Sequence, residues 1–216
     1  MHLYLDTAVV DEVREIANWG VLSGVTTNPT LIAASGRKHE EVVAEMCEIV
    51  KGPVSAEVTA LETKEMIVQG RKLRQISDHI VVKLPTTPDG LSACKTLSSE
   101  GTPVNMTLVF SAAQALLTAR AGASYCSPFL GRVDDIGWEG MNLIREIRLI
   151  LDMHDLSTQI IAASVRSPLH VTEAAKAGAH IATMPTKVFQ QLVKHPLTDI
   201  GLERFMADFR KSQGQA

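Results

Sequence analysis

Cysteine is scarce: Cys47, Cys94 and Cys126 are the whole complement, and they lie far apart. An odd, dispersed set supplies no disulfide framework and no CxxC knuckle, so a reducing, cytoplasmic address is expected. Long apolar runs are lacking as well, since none approaches the roughly 18 residues of a membrane span. The opening stretch MHLYLDTAVVDEV has no charged region followed by an apolar one, so a secretory signal is not expected either. There is no basic excess. The 21 Lys and Arg against 24 Asp and Glu leave a net charge of -3, which gives nucleic acid no electrostatic footprint. Local cations could still hold a phosphorylated metabolite. The seven histidines show no HxH or HExxH spacing, so no metal centre is expected, and no organic cofactor is expected.

What is present is an ordinary globular composition, 45% hydrophobic and 21% charged over 216 residues, enough for one good core and short for two domains. Short β-branched apolar runs alternate with longer helical patterns. The expected strands are 2–6, 22–27, 53–58, 79–84, 103–108, 124–129, 158–163 and 180–184. The expected helices are 9–18, 39–50, 62–76, 89–100, 111–121, 139–153, 168–177 and 186–194. Strand then helix, eight times, argues for an α/β fold, a single (β/α)₈ TIM barrel. The 216 residues divide into about 27 per unit, a compact version of the usual barrel of about 250 residues. A doubly wound open sheet is the competitor, but it would want a glycine-rich turn after the first strand. That turn reads DTAVVDE and has no glycine. The barrel is expected over 1–197. The segment 198–216 is an extra C-terminal helix and tail of the same domain, covering either its own barrel or a neighbouring subunit.

In a strand, residues two apart share a face, and barrel chemistry sits at the C-terminal strand ends. Taken strand by strand, the late inward positions are polar. Asp6 ends the first strand, and Thr26 with Asn28 follow from the second. Glu57 is the last inward residue of the third and Lys83 of the fourth. Asn105 and Thr107 lie inside the fifth, with Val104, Met106 and Leu108 outside. Tyr125, Ser127 and Phe129 share a face of the sixth, and the seventh leads to Ser164 and Arg166. Singly, each has a plainer reading. Lys83 could snorkel to water, Asp6 could cap a helix, Glu57 could pair with any arginine, and Asn28 before Pro29 is a common turn. Arg132 and Arg166 could be solvated surface charges. Together they converge on one mouth, where burying so many polar groups is costly unless they are paired or used.

A lysine at the mouth of an apolar barrel suits imine formation with a carbonyl substrate. Two carboxylates, Asp6 and Glu57, supply a proton acceptor for carbon–carbon cleavage and a second one for the water steps. That chemistry requires the Lys83 amine and the Asp6 carboxyl to look into one pocket.

These residues carry a family resemblance. The segments GVTTNPT (24–30), SAEV (55–58), IVVKLP (80–85), NMTLVFS (105–111), SPFLGRVDDIG (127–137) and IIAASVRSP (160–168) occur in fixed order. In them the chain resembles the small bacterial-type transaldolases and, more distantly, the fructose-6-phosphate aldolases of the same superfamily. The resemblance implies Lys83 as Schiff-base lysine and Asp6 as the acid/base at the C4 hydroxyl, with Glu57 and Thr107 holding a catalytic water. It implies Asn28, Asn105 and Ser127 as donor-sugar contacts, and Arg132, Ser164 and Arg166 as the phosphate set. Glu57 and Phe129 resemble the transferase branch, where the aldolase branch typically has Gln and Tyr. The implied role is transfer of a dihydroxyacetone unit from sedoheptulose 7-phosphate or fructose 6-phosphate to an aldose phosphate, in the pentose-phosphate pathway. The implied partners are sugar phosphates and further copies of the chain, as a decamer, with neither membrane nor nucleic acid. The rivals are an aldolase releasing free dihydroxyacetone and a non-catalytic phosphosugar-binding barrel.

Overall fold

The structure is a computed structural model and describes residues 1–213. Eight strands close into a parallel barrel in sequence order. They are β1 His2–Asp6, β2 Leu22–Thr26, β3 Val54–Glu57, β4 Ile80–Pro85, β5 Val104–Val109, β6 Tyr125–Pro128, β7 Gln159–Ala162 and β8 Ile181–Met184. Of the helices, α1 Val10–Ala17, α3 His39–Val50, α4 Thr63–Arg74, α5 Pro88–Ser99 and α6 Ala112–Arg120 follow the expected positions. So do α8 Gly140–Met153, α9 Pro168–Lys176 and α10 Thr186–Gln191. Two short helices were not expected from the sequence: α2 Pro29–Ser35 and α7 Leu130–Asp135, both in loops at the C-terminal rim. The last helix, α11 Pro196–Ser212, starts two residues earlier than expected, and residues 214–216 of the tail lie outside the described residues. No helix among the described residues is long and apolar enough to cross a membrane.

Alternation divides each strand between two cores. Leu5, Val25, Val54, Ile80, Met106 and Ile160 are fully buried against the helices. The inward set differs. Tyr4, Ile161 and Ile181 form a separate buried cluster inside the barrel, with Tyr125 packed on it. On four strands an inward residue of this layer precedes an inward polar one by two positions: Tyr4 before Asp6, Val81 before Lys83, Tyr125 before Ser127, Ile181 before Thr183; on β7, Ile161 precedes Ala163 instead. One barrel turn therefore forms a dry plug and the next forms the floor of a pocket. Tyr4 can cross the interior because its partner in the register is Gly24. A Cβ on Gly24 would lie 2.5 Å from the Tyr4 ring and 2.7 Å from the Pro53 carbonyl oxygen.

The rim is built by helix caps. Asn28, Thr87, Ser111 and Ser167 each accept a backbone N–H of the helix they start. Three of them precede a proline at the first helical position. There the missing proline N–H costs nothing and the side-chain oxygen satisfies an orphan donor. One expected orientation is corrected. Leu108 does not pack outward, because β5 bulges against β6 between Met106 and Val109. The extra residue gives Leu108 a φ of +59° and turns it onto the rim, 36% exposed, while Val109 takes the outward, buried position.

Candidate active site

The C-terminal mouth of the barrel holds a cavity of about 410 Å³. Asp6, Asn28, Lys83, Thr107, Ser127 and Phe129 line it. Arg132 and Ser164 line it as well. Lys83 and Asp6 thus share one pocket, reached from β4 and β1.

Lys83 is only 5% exposed. Its amine donates to the Glu57 carboxylate at 2.8 Å and to the Thr27 carbonyl at 2.9 Å. Glu57 and Lys83 are register partners on adjacent strands, so the ion pair follows directly from the parallel ladder. A buried charge pair of this kind is tolerated when each member is well met. Glu57 is not among the residues lining the cavity; it stands behind the amine.

Asp6 does not cap α1. The residue before that helix is Val9, which makes no side-chain cap. Asp6 Oδ1 instead accepts from the Thr26 hydroxyl at 2.8 Å. Burial pushes the Asp6 carboxyl above the ordinary carboxylate range, while the Lys83 charge and the Thr26 hydrogen bond pull it partly back.

Beneath the cavity a polar layer fixes the donors. Asn105 is wholly buried. Its amide donates to Ser55 Oγ at 3.1 Å and accepts from Ser127 Oγ at 2.7 Å. Ser127 therefore stands between Asn105 and the cavity, and Asn105 does not line it. Thr107 Oγ1 is buried without a hydrogen-bond partner, an unmet polar atom at the cavity wall that invites a small polar group. Asn28 Oδ1 is engaged by the Leu31 N–H at 3.0 Å, which leaves the Asn28 amide nitrogen for a ligand.

The two arginines differ. Arg132 lies 5.0 Å above the Phe129 ring and lines the cavity. Arg166 forks onto Asp135, its two terminal guanidinium nitrogens donating one to each carboxylate oxygen, and it is outside the cavity lining. Ser164 reaches the cavity through a left-handed backbone, with φ +56°. Strand alternation alone would not have turned it there. Two inward threonines complete the wall. Thr26 and Thr183 both line the cavity, with their hydroxyls 2.7 Å apart. Thr26 was named from the sequence among the late inward positions but given no role, and Thr183 was not named, although it too is a late inward residue, on β8.

Among the described residues no group of three His, Cys, Asp or Glu could hold a metal ion. Phe129 packs against Phe110 with ring centroids 5.7 Å apart, so the wall facing Arg132 is aromatic and carries no hydroxyl.

The fold is widely shared. A crystal structure of 3-hexulose-6-phosphate synthase superposes with a TM-score of 0.65 at 14% identity, covering 88% of this chain and 92% of that one. At that identity only the architecture is informative. Sequence relatives say more. A Thermus thermophilus protein named probable transaldolase is 62% identical over 220 residues, covering 98% of this chain and 99% of its own. A Symbiobacterium thermophilum protein of the same name is 55% identical over 215 residues and covers both chains completely. The family described as Transaldolase/Fructose-6-phosphate aldolase matches residues 3–215. With a cavity that holds a buried lysine and a half-buried aspartate, and a match running almost end to end, the chain belongs to the transaldolase/fructose-6-phosphate aldolase family and is an enzyme of the transaldolase class.

Proposed function

We propose that the enzyme transfers a dihydroxyacetone unit between sugar phosphates through a Schiff base on Lys83. The observation that carries this reading is a single one. A nearly buried amine, ion-paired to Glu57 at 2.8 Å, opens into the same cavity as a carboxyl that burial has made a better proton acceptor. The Lys83 amine attacks the ketose C2 carbonyl. The carbinolamine then loses water to give the imine, with Glu57 taking the ammonium proton and a water held by Glu57 and Thr107 relaying it. Asp6 removes the C4-hydroxyl proton as the C3–C4 bond breaks. The first aldehyde leaves, and the electron pair rests in the enamine. The acceptor aldehyde then takes the C3 nucleophile, Asp6 returns the proton to the new alkoxide, and hydrolysis of the imine frees the product.

Asn28 and Ser127, the latter oriented by Asn105, hold the donor hydroxyls. Arg132 and Ser164 hold the phosphate, and Arg166 joins them. Its pair with Asp135 is half exposed on both sides, where such pairs are worth little, so an incoming phosphate can draw it over. Glu57 and Phe129 favour transfer over simple cleavage, since an aromatic wall without a hydroxyl keeps water from protonating the enamine. The donors by this reading are sedoheptulose 7-phosphate or fructose 6-phosphate.

Borohydride added with a ketose phosphate should fix a three-carbon adduct on Lys83, located by mass spectrometry. Labelling at another residue refutes the assignment. The transfer assay, run with and without acceptor aldehyde, separates this reading from its neighbour. Rapid donor cleavage with no acceptor would identify an aldolase that releases dihydroxyacetone.

A further inference from the structure

We infer that Thr183 is a positioning residue for the reaction: its hydroxyl donates to Thr26 and thereby holds the Thr26 proton on Asp6, fixing which Asp6 oxygen faces the substrate's C4 hydroxyl. The inference rests on the reading of Asp6 as the acid/base given above.

Two distances define the chain. Thr26 Oγ1 lies 2.8 Å from Asp6 Oδ1 and 2.7 Å from Thr183 Oγ1. An ionised carboxylate only accepts, and a hydroxyl has one proton to give. Thr26 directs its proton at Asp6, so the proton in the second contact belongs to Thr183. The chain therefore has a direction, Thr183 to Thr26 to Asp6. Thr26 and Thr183 are nearly buried, at 3% and 4% exposure, and no other side chain hydrogen-bonds to either hydroxyl among the described residues.

The barrel's closure puts the three groups together. β8 pairs with β1, with Thr183 opposite Tyr4. β1 pairs with β2, with Asp6 opposite Thr26. Three inward side chains from three adjacent strands meet at the seam. With Oδ1 occupied by Thr26, Oδ2 is the oxygen left for substrate. Without Thr183, the Thr26 hydroxyl is free to turn and accept a proton from a protonated Asp6. That form is a poor base for the C4 hydroxyl. The directed chain opposes it.

The other charges around Asp6 do not substitute for this. Of the elements packed on β1, neither β2 nor β8 carries an ionisable residue. In α10 the one ionisable residue is Lys187, which is exposed to solvent. Lys83 and Arg132 share the cavity with Asp6, and Glu57 is tied to Lys83.

The test is Thr183→Val, which keeps the side-chain shape and removes the donor, beside Thr183→Ser, which keeps the donor. In Thr183→Val, kcat for transfer should fall about 3- to 10-fold with KM changed less than about twofold, the worth of one neutral hydrogen bond made at the cleavage step. The acid limb of its pH–rate profile should move to higher pH, because Asp6 has lost part of what stabilises its charge. Borohydride trapping on Lys83 should persist, and Thr183→Ser should behave as the unsubstituted enzyme. Wild-type kcat and acid limb in Thr183→Val overturn the inference. So does a Thr183→Ser variant as impaired as the valine one, which would make the role one of packing. Should the valine variant not fold by circular dichroism, Thr183→Cys, with its weak donor, is held to the same outcomes. If trapping fails in the unsubstituted enzyme, the Lys83 reading falls and takes this inference with it. Intact trapping with unchanged kinetics sinks the Thr183 role alone.

Discussion

At the residue scale, the site places the Asp6 carboxyl where its chemistry and its stability conflict. Burial raises the Asp6 carboxyl above its ordinary range. The folded chain thus holds that proton more tightly than the unfolded chain does. The stability this contributes is fully present below the unfolded pKa of about 3.9 and is lost as pH rises through the folded value. At neutral pH the buried negative charge is therefore a cost. Asp6→Asn should raise the melting temperature at pH 7, with the gain shrinking as the pH is lowered, while transfer falls about 10²- to 10⁴-fold. An equal or lower melting temperature for the variant at pH 7 would mean that attraction to Lys83 outweighs burial. The end of the cavity proposed to hold the phosphate offers a second separation. Arg132 already lines the cavity, whereas Arg166 is paired with Asp135 outside it. Arg132→Ala should raise KM for the phosphorylated donor about 10- to 100-fold, the range for losing a charged hydrogen bond. Donor kinetics should leave kcat far less affected. Most of these residues were legible in the sequence because they obey period two on a strand. Ser164 is reached through a positive φ that no alternation predicts. The link from Asp6 to Thr183 was hidden because threonine in a strand is read as ordinary β propensity.

At the scale of elements, the eight strands and eight principal helices were legible because each has its own periodicity and punctuation. The two rim helices were not. α2 and α7 are 7 and 6 residues long, too short for a helical stripe to repeat. The Asn28–Pro29 entry signal was visible, but the residues after it, TLIAAS, carry no charges to mark a solvent face. In α7 the sequence LGRVDD reads as the turn after a strand, and only the burial of Leu130 and Val133 in the barrel core makes it a helix. The Leu108 bulge escaped for a related reason: nothing in VNMTLV distinguishes a regular strand from one with an extra residue. Where a strand does need a particular residue, the requirement is sharp. Gly24 lets the Tyr4 ring cross the barrel, and an added Cβ would also strike a backbone carbonyl that cannot rotate away. Gly24→Ala should lower stability by roughly 1–3 kcal/mol, as overpacking of a tight core does, read as a lower urea midpoint. It should also disturb Asp6, two residues beyond Tyr4, so that kcat falls along with the midpoint. A variant of unchanged midpoint would show that the floor of the barrel is looser than its contacts imply.

At the scale of the molecule, one surface remains without a role in the barrel. In α11, Leu202, Phe205, Met206 and Phe209 fall at positions i, i+3, i+4 and i+7, the spacing of a single helical stripe. Each is at least half exposed, and no residue of this 17-residue helix is buried. The helix therefore does not cover its own barrel, one of the two roles the sequence left open. The barrel's own core is complete without it, since the helix contributes nothing to either buried cluster. A stripe of four large apolar side chains facing water is the mark of an interaction surface. A second copy of the chain is the partner proposed for it. A decamer, the assembly that the family resemblance implies, is the form proposed for it. Deleting α11 should then leave each barrel folded and Lys83 still trapped by borohydride, because neither the cores nor the cavity uses the helix. The assembly should come apart. In sedimentation velocity the full chain should run as a large oligomer, and the chain ending at His195 as a much smaller species of unchanged circular dichroism. Equal assembly in both would place the subunit contacts on the barrel itself and leave the stripe to some other partner.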